Sequence, residues 1–101
     1  MAKVSLPALL KTMVDQDASD LHLTVGVPPE FRIRGSMVRV KSDALNHQDT
    51  KDLAYSVITD AQKAEFERNW ELDFSFGIKD VARFRGNLFY QRGGVGAVFR
   101  I

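Results

Sequence analysis

No cysteine occurs anywhere in the chain. That excludes a disulfide framework and a thiolate metal site, and it favours a reducing, cytoplasmic setting. No stretch approaches the roughly 18 consecutive apolar residues of a membrane span. The segment after Lys3, Leu6 to Val14, is broken by Pro7, Lys11 and Thr12, so it does not read as a signal-peptide core. The two histidines, His22 and His47, stand far apart with nothing to complete a ligand set, so neither a metal site nor a catalytic triad is expected. A G-x-x-x-x-G-K-[ST] loop is also missing. Gly93-Gly94-Val95-Gly96 lacks both the lysine and the following helix that a phosphate cradle needs, and its glycines read as turn chemistry. Nothing in these 101 residues hydrolyses a nucleotide unaided.

What is present is the patterning of one small globular domain spanning residues 1–101, without repeats, low-complexity runs or a linker. Ser5 is placed to cap a first helix with Pro7 in its opening turn, and Leu6, Leu9, Leu10, Met13 and Val14 form its buried stripe. Leu21, Leu23 and Val25 alternate with Asp20, His22 and Thr24 as in a half-buried strand, which Gly26 to Pro29 stops. Phe31 and Ile33, then Met37, Val38 and Val40, flank Gly35-Ser36 as a hairpin. Asn46 caps a second helix, and Thr59 with Gln62 is the capping box of a third, on which Phe66 and Trp70 share a face. Leu72, Phe74 and Phe76 return to strand periodicity before a terminal hairpin. The order of one helix, three strands, two helices and three strands predicts an α+β domain, an antiparallel sheet with helices packed on one face. The chain stops on Phe99-Arg100-Ile101 with no polar turn after the strand, as a piece of a longer protein would.

Charge is uneven along the chain. From Lys79 to the end, Lys79, Arg83, Arg85, Arg92 and Arg100 face one acid, Asp80, while the whole chain carries only +1. Guanidinium groups stay charged and fork onto carboxylate or phosphate, so arginines on rigid strands point to an anion site. With Gly93-Gly94 as the centre of a two-residue turn, Leu88 falls opposite Phe99 and Asn87 opposite Arg100. Arg83, Arg85, Asn87, Gln91 and Arg100 then share one face, with Arg85 and Arg100 as diagonal neighbours. A competing structural account comes from the preceding hairpin. With Phe76 opposite Ala82, Phe74 faces Phe84 and Asp73 faces Arg85, making an ordinary cross-strand ion pair. Gly86 is a candidate bulge. Phe66, Trp70, Phe74 and Phe84 are expected in the core. An RNA-binding sheet is disfavoured, because Arg85-Gly86-Asn87-Leu88-Phe89-Tyr90 departs from the K/R-G-F/Y-G/A-F-V-x-F/Y pattern at its third and fourth positions.

Three segments together carry a resemblance. Ala18-Ser19-Asp20-Leu21-His22-Leu23-Thr24-Val25-Gly26-Val27-Pro28-Pro29 with Phe31-Arg32-Ile33-Arg34-Gly35, then Glu71-Leu72-Asp73-Phe74-Ser75-Phe76, then Ala82-Arg83-Phe84-Arg85-Gly86-Asn87 with Gly96-Ala97-Val98-Phe99-Arg100, resemble the N-terminal domain of the type IV pilus retraction ATPases, the PilT family of secretion ATPases. Extension and type II secretion ATPases share the Ser-Asp-(Leu/Ile)-His element, but the Gly-Val-Pro-Pro continuation favours the retraction branch. The resemblance implies a PAS-like domain followed by a RecA-like ATPase domain carrying Walker A and Walker B elements. It also implies a homohexamer in which this domain packs on the neighbouring subunit's ATPase domain and supplies arginines that sense the terminal phosphate of ATP. Arg85 and Arg100 match those positions, with Arg83 and Arg92 as assistants. Ser19, Asp20 and His22 are implied to be structural, Ser19 and Asp20 fixing the helix-to-strand junction and His22 hydrogen-bonded on an outward face. ATP and Mg2+ would be bound by the full hexamer and not by this domain alone. The expected partner beyond the hexamer is the pilus platform protein at the cytoplasmic face of the inner membrane, and no nucleic-acid partner is expected. The family often carries a β-branched residue where this chain has Gly86. The alternatives are a related extension or type II secretion ATPase, or an autonomous PAS-type ligand-binding module, for which Leu9, Leu23, Phe74, Phe84 and Phe99 offer no polar core group.

Overall fold

The computed structural model describes residues 4–91 and 93–101. Helix α1 (Leu6–Asp15) starts at Ser5, whose hydroxyl accepts from the Ala8 amide at 3.2 Å, and it buries Leu6, Leu9, Leu10 and Met13. It closes with Asp17 in the left-handed region (φ 55), where the Asp17 amide donates to Val14 and the Ala18 amide to Met13. That closure throws the chain straight into strand β1 (Asp20–Leu23). Strands β2 (Glu30–Ile33) and β3 (Ser36–Arg39) form a hairpin whose turn is Arg34-Gly35, both at positive φ, one residue earlier than the Gly35-Ser36 position expected from sequence.

Helix α2 (His47–Tyr55) and helix α3 (Asp60–Asn69) each begin with a complete capping box, Asn46 with Asp49 and Thr59 with Gln62. Because the Asn46 side chain satisfies the Asp49 amide at 2.8 Å and receives no substitute from an alanine, Asn46→Ala should cost about 1 kcal/mol. A thermal melt should register that as a drop of several degrees, about 4–8 °C per kcal/mol for a domain of this size.

Strands β4 (Glu71–Ile78), β5 (Ala82–Gln91) and β6 (Gly94–Arg100) complete one six-stranded sheet of order β3-β2-β1-β6-β5-β4, every pairing antiparallel. The helices pack on one face, with α2 over β6, α3 over β4 and α1 over β1. The α+β, PAS-like arrangement expected from the sequence is the arrangement observed. The core between the layers holds Leu10, Met13, Leu21, Leu23, Phe66, Phe84, Leu88 and Phe99, all 1% exposed or less. Trp70 is the exception among the expected core aromatics. It sits past the end of α3 at φ 57, half exposed, edge-on to Phe66 and against Tyr90. Near it, burial and the adjoining Glu67 carboxylate, which accepts from the phenol at 2.7 Å, push the Tyr55 hydroxyl well above its ordinary pKa.

Both terminal hairpins differ in register from expectation by two residues. Ile78, not Phe76, lies opposite Ala82, because Asp80 takes a left-handed conformation (φ 64) and closes a loop of three residues. Leu88 lies opposite Ala97 rather than Phe99, because Gln91 pairs with Gly94. Gly94 is thus a strand residue and not the turn centre. A Cβ there would come within 2.6 Å of the His47 ring and 2.8 Å of Val25, so close packing under α2 demands the glycine. A shift of two preserves the alternation of faces, and the apolar and polar sets remain as read from the sequence. Gly86 is no bulge, since β5 pairs without interruption on both sides of it.

Candidate functional site

The face of the sheet away from the helices carries the polar alternates of β1, β6, β5 and β4. Two rows cross it. In one, His22, Val98, Asn87 and Asp73 follow one another across the four strands. In the other, Arg32 lies opposite Asp20 on β1, while Arg100 lies opposite Arg85 and Arg85 opposite Ser75. His22, Asp73, Arg85, Gly86, Asn87, Val98 and Arg100 line an open groove of about 290 Å³.

Arg85 and Arg100 are therefore direct cross-strand partners, not diagonal ones, with backbones about 5 Å apart. Two like charges so placed repel unless something lies between them or draws one away. Arg100 is drawn away. Its Nε donates to Asp20 Oδ1 at 2.8 Å, while Asp20 Oδ2 takes the Arg32 Nε at 3.3 Å and the Ser19 hydroxyl at 3.3 Å. The Asp20 carboxylate is only 12% exposed, covered by the arginines it serves, whereas the Arg100 side chain is 69% exposed. Arg85 is different. Among the described residues no ion pair or hydrogen bond engages its side chain, and it is exposed.

The competing account of Arg85 fails on this geometry. Asp73 lies opposite Asn87, whose amide nitrogen donates to it, and the two-residue register shift puts Ser75 in the place where Asp73 was expected. Arg83 shares the face but lies across Gly77 and does not line the groove. Arg92 lies outside the described residues. Ser19 lies between α1 and β1, and its amide donates to the Arg32 carbonyl at 2.9 Å. His22 departs from expectation, since its Nε2 is buried with no hydrogen-bond partner among the described residues.

Two guanidinium groups over one groove, one of them held by an adjacent carboxylate, have the chemistry to pair with a carboxylate- or phosphate-sized anion. They supply no nucleophile and no general base. What the sequence did not disclose is the role of Asp20 as the partner of Arg100. Its alternation with Leu21 put it on the correct face, but nothing local shows that β1 lies beside β6. Among the described residues no group of three or more histidine, cysteine, aspartate or glutamate side chains is placed to hold a metal ion, and no helix is long and apolar enough to cross a membrane.

No family model matches the chain. It is 43% identical over 97 residues to the type IV pilus retraction ATPase PilT of Pseudomonas aeruginosa, an alignment covering 96% of this chain and 28% of that protein. It is 36% identical over 92 residues to the type IV pilus ATPase PilU of the same organism, covering 91% and 24%. A twitching motility protein of Neisseria gonorrhoeae is 34% identical over 96 residues, covering 95% and 26%. The crystal structure of the pilus retraction motor PilT with bound ADP matches with a TM-score of 0.90 at 42% identity, over 98% of this chain and 29% of that one. The Legionella pneumophila ATPase DotB, at 16% identity and a TM-score of 0.79 over 99% of this chain and 30% of that one, shares the fold. The chain thus spans 24% to 29% of the length of its PilT-type relatives. Sequence identity along almost the whole chain and a superposable six-stranded fold give one conclusion: the chain belongs to the PilT family of type IV pilus retraction ATPases and corresponds to that family's N-terminal domain.

Proposed function

We propose that this domain serves a hexameric pilus retraction ATPase by packing on the ATPase domain of the adjoining subunit and presenting Arg85, with Arg100 beside it, to the terminal phosphate of the nucleotide held there. The observation that carries this reading is the exposed Arg85 side chain. It stands without a partner among the described residues, on a strand paired on both sides, and lines a groove it shares with Arg100. Keeping a guanidinium uncommitted opposite another arginine costs electrostatic energy, and an incoming phosphate recovers it through bidentate, charge-assisted hydrogen bonds. The division of labour supports the reading further. This chain has arginines and no P-loop, so it is suited to complete a site whose phosphate cradle and Mg2+ lie on another domain.

ATP and Mg2+ belong, on this reading, to the neighbouring subunit's ATPase domain, and hydrolysis there is felt here as loss of the phosphate that the arginines grip. The domain then shifts against its neighbour, and the hexamer does work on the pilus platform at the cytoplasmic face of the inner membrane. Arg83 stays outside the groove and is assigned no contact. Turnover of the ATPase that carries this domain is the test. Arg85→Ala should lower it strongly without unfolding this chain, and unchanged turnover would refute the role.

A further inference from the structure

We infer that Asp20 is the positioning residue of this groove. It fixes Arg100 through Nε so that the terminal amino groups of that guanidinium are left for an anion while the guanidinium is drawn towards β1 and away from Arg85. The inference rests on the phosphate-binding reading given above. Three observations carry it. Arg100 and Arg85 are direct cross-strand partners, so unrestrained side chains of equal charge would splay unpredictably. Arg100 Nε is engaged at 2.8 Å by a carboxylate on the strand at the other side of β6, which directs the side chain towards β1. The Asp20 carboxylate is itself held, by Arg32 at 3.3 Å and the Ser19 hydroxyl at 3.3 Å, and it is almost wholly covered.

The chemistry of the contact explains why it leaves a binding group free. Guanidinium presents five N–H donors, and engagement of Nε leaves those on the two terminal nitrogens unspent. A lysine at 100 would keep the charge but could not be gripped at one point and present a fork at another. Asp20 thereby turns one of two flexible arginines into a fixed element, lowering the ordering cost of anion capture, while Arg85 remains the adaptable member. Its negative charge works in the opposite sense, since it weakens the field that draws the anion in. The two effects predict opposite results for removal of that charge, which makes the inference decidable.

The test uses this chain with inorganic tripolyphosphate as the probe, at constant ionic strength, following the arginine Nε–Hε groups by NMR. The wild-type Arg100 group should exchange slowly with water, and the probe should shift Arg85 and Arg100 together. In Asp20→Asn the Arg100 group should lose its protection, and the dissociation constant of the probe should rise about fivefold, the scale of one side chain that must now be immobilised on binding. In an Arg100→Lys background the same substitution should not weaken binding and should tighten it slightly, because there is no fork to position and only the loss of the opposing charge remains. Should Asp20→Asn not fold, Asp20→Glu keeps the charge, displaces the carboxylate by one methylene, and should weaken binding in the same direction. Tighter binding by Asp20→Asn, or equal weakening in both backgrounds, would overturn the positioning role. Failure of the wild-type chain to bind the probe would instead overturn the phosphate reading, and the role of Asp20 with it.

Discussion

Arg85→Ala, introduced into the ATPase that carries this domain, is expected to lower ATP turnover by up to about 10³-fold, the range reached by arginines supplied in trans to a transferring phosphoryl group. The size of the effect follows from where charge develops. In phosphoryl transfer the equatorial oxygens gain charge in the transition state, and a guanidinium brought against them in a site closed from water stabilises that charge more than it stabilises bound ATP. The loss should therefore appear mainly in kcat. Because Arg85 makes no ion pair with Asp73, or with any other described residue, its removal should leave the fold of this chain intact. Circular dichroism and a thermal melt on the isolated chain check that half of the prediction. Arg85→Lys should recover only part of the turnover, since ammonium keeps the charge and loses the fork. A variant that melts many degrees lower, with turnover falling only in proportion, would make Arg85 a structural residue after all.

The largest effect on stability is expected at the next residue. A Cβ on Gly86 would stand 2.5 and 2.7 Å from the Phe74 ring and 3.1 Å from Phe99, closer than side-chain carbons approach. Phe74 has no easy retreat, since it stacks on Phe76 at 5.5 Å and meets Phe99 edge-on at 6.3 Å. Gly86→Val should therefore destabilise the domain by about 3 kcal/mol or more, at the upper end of overpacking costs. On a domain of this size that is a fall in Tm of well over about 10 °C. A smaller residue at 74 should relieve it. Phe74→Leu combined with Gly86→Val is expected to be more stable than Gly86→Val alone, and the double-mutant cycle measures that coupling. A Gly86→Val chain that melts with the wild type would show that the Phe74 ring has freedom the packing does not suggest. Relatives with a β-branched residue here are, on this account, expected to make room at the position facing it.

Much of this was legible in the sequence, and the parts that were not share a cause. Ser5, Asn46 and Thr59 announced three helix starts, because capping is a matter of residues three apart. Face alternation on β4, β5 and β6 was legible too, since it depends only on parity. The registers were not. Asp80 closing a three-residue loop and Gly94 entering the strand each moved a pairing by two, and both depend on backbone conformation and on packing under α2 that no local pattern reports. The consequence fell on the site. Asp73, the expected partner of Arg85, turned out to hold Asn87, and Arg100 turned out to be held by a residue eighty positions away. Long-range strand order decided both.

Action of Arg85 across a subunit boundary is decided by mixed hexamers. One subunit type would carry Arg85→Ala with an intact ATPase domain, the other an intact Arg85 with the P-loop lysine of its ATPase domain replaced. Each alone should be nearly inactive. Mixed and reassembled, they should regain a measurable part of wild-type turnover, because sites form in which an intact P-loop meets an intact Arg85 from its neighbour. No recovery on mixing, with hexamer formation verified, would place Arg85 in its own subunit's site or outside any site, and would contradict the account.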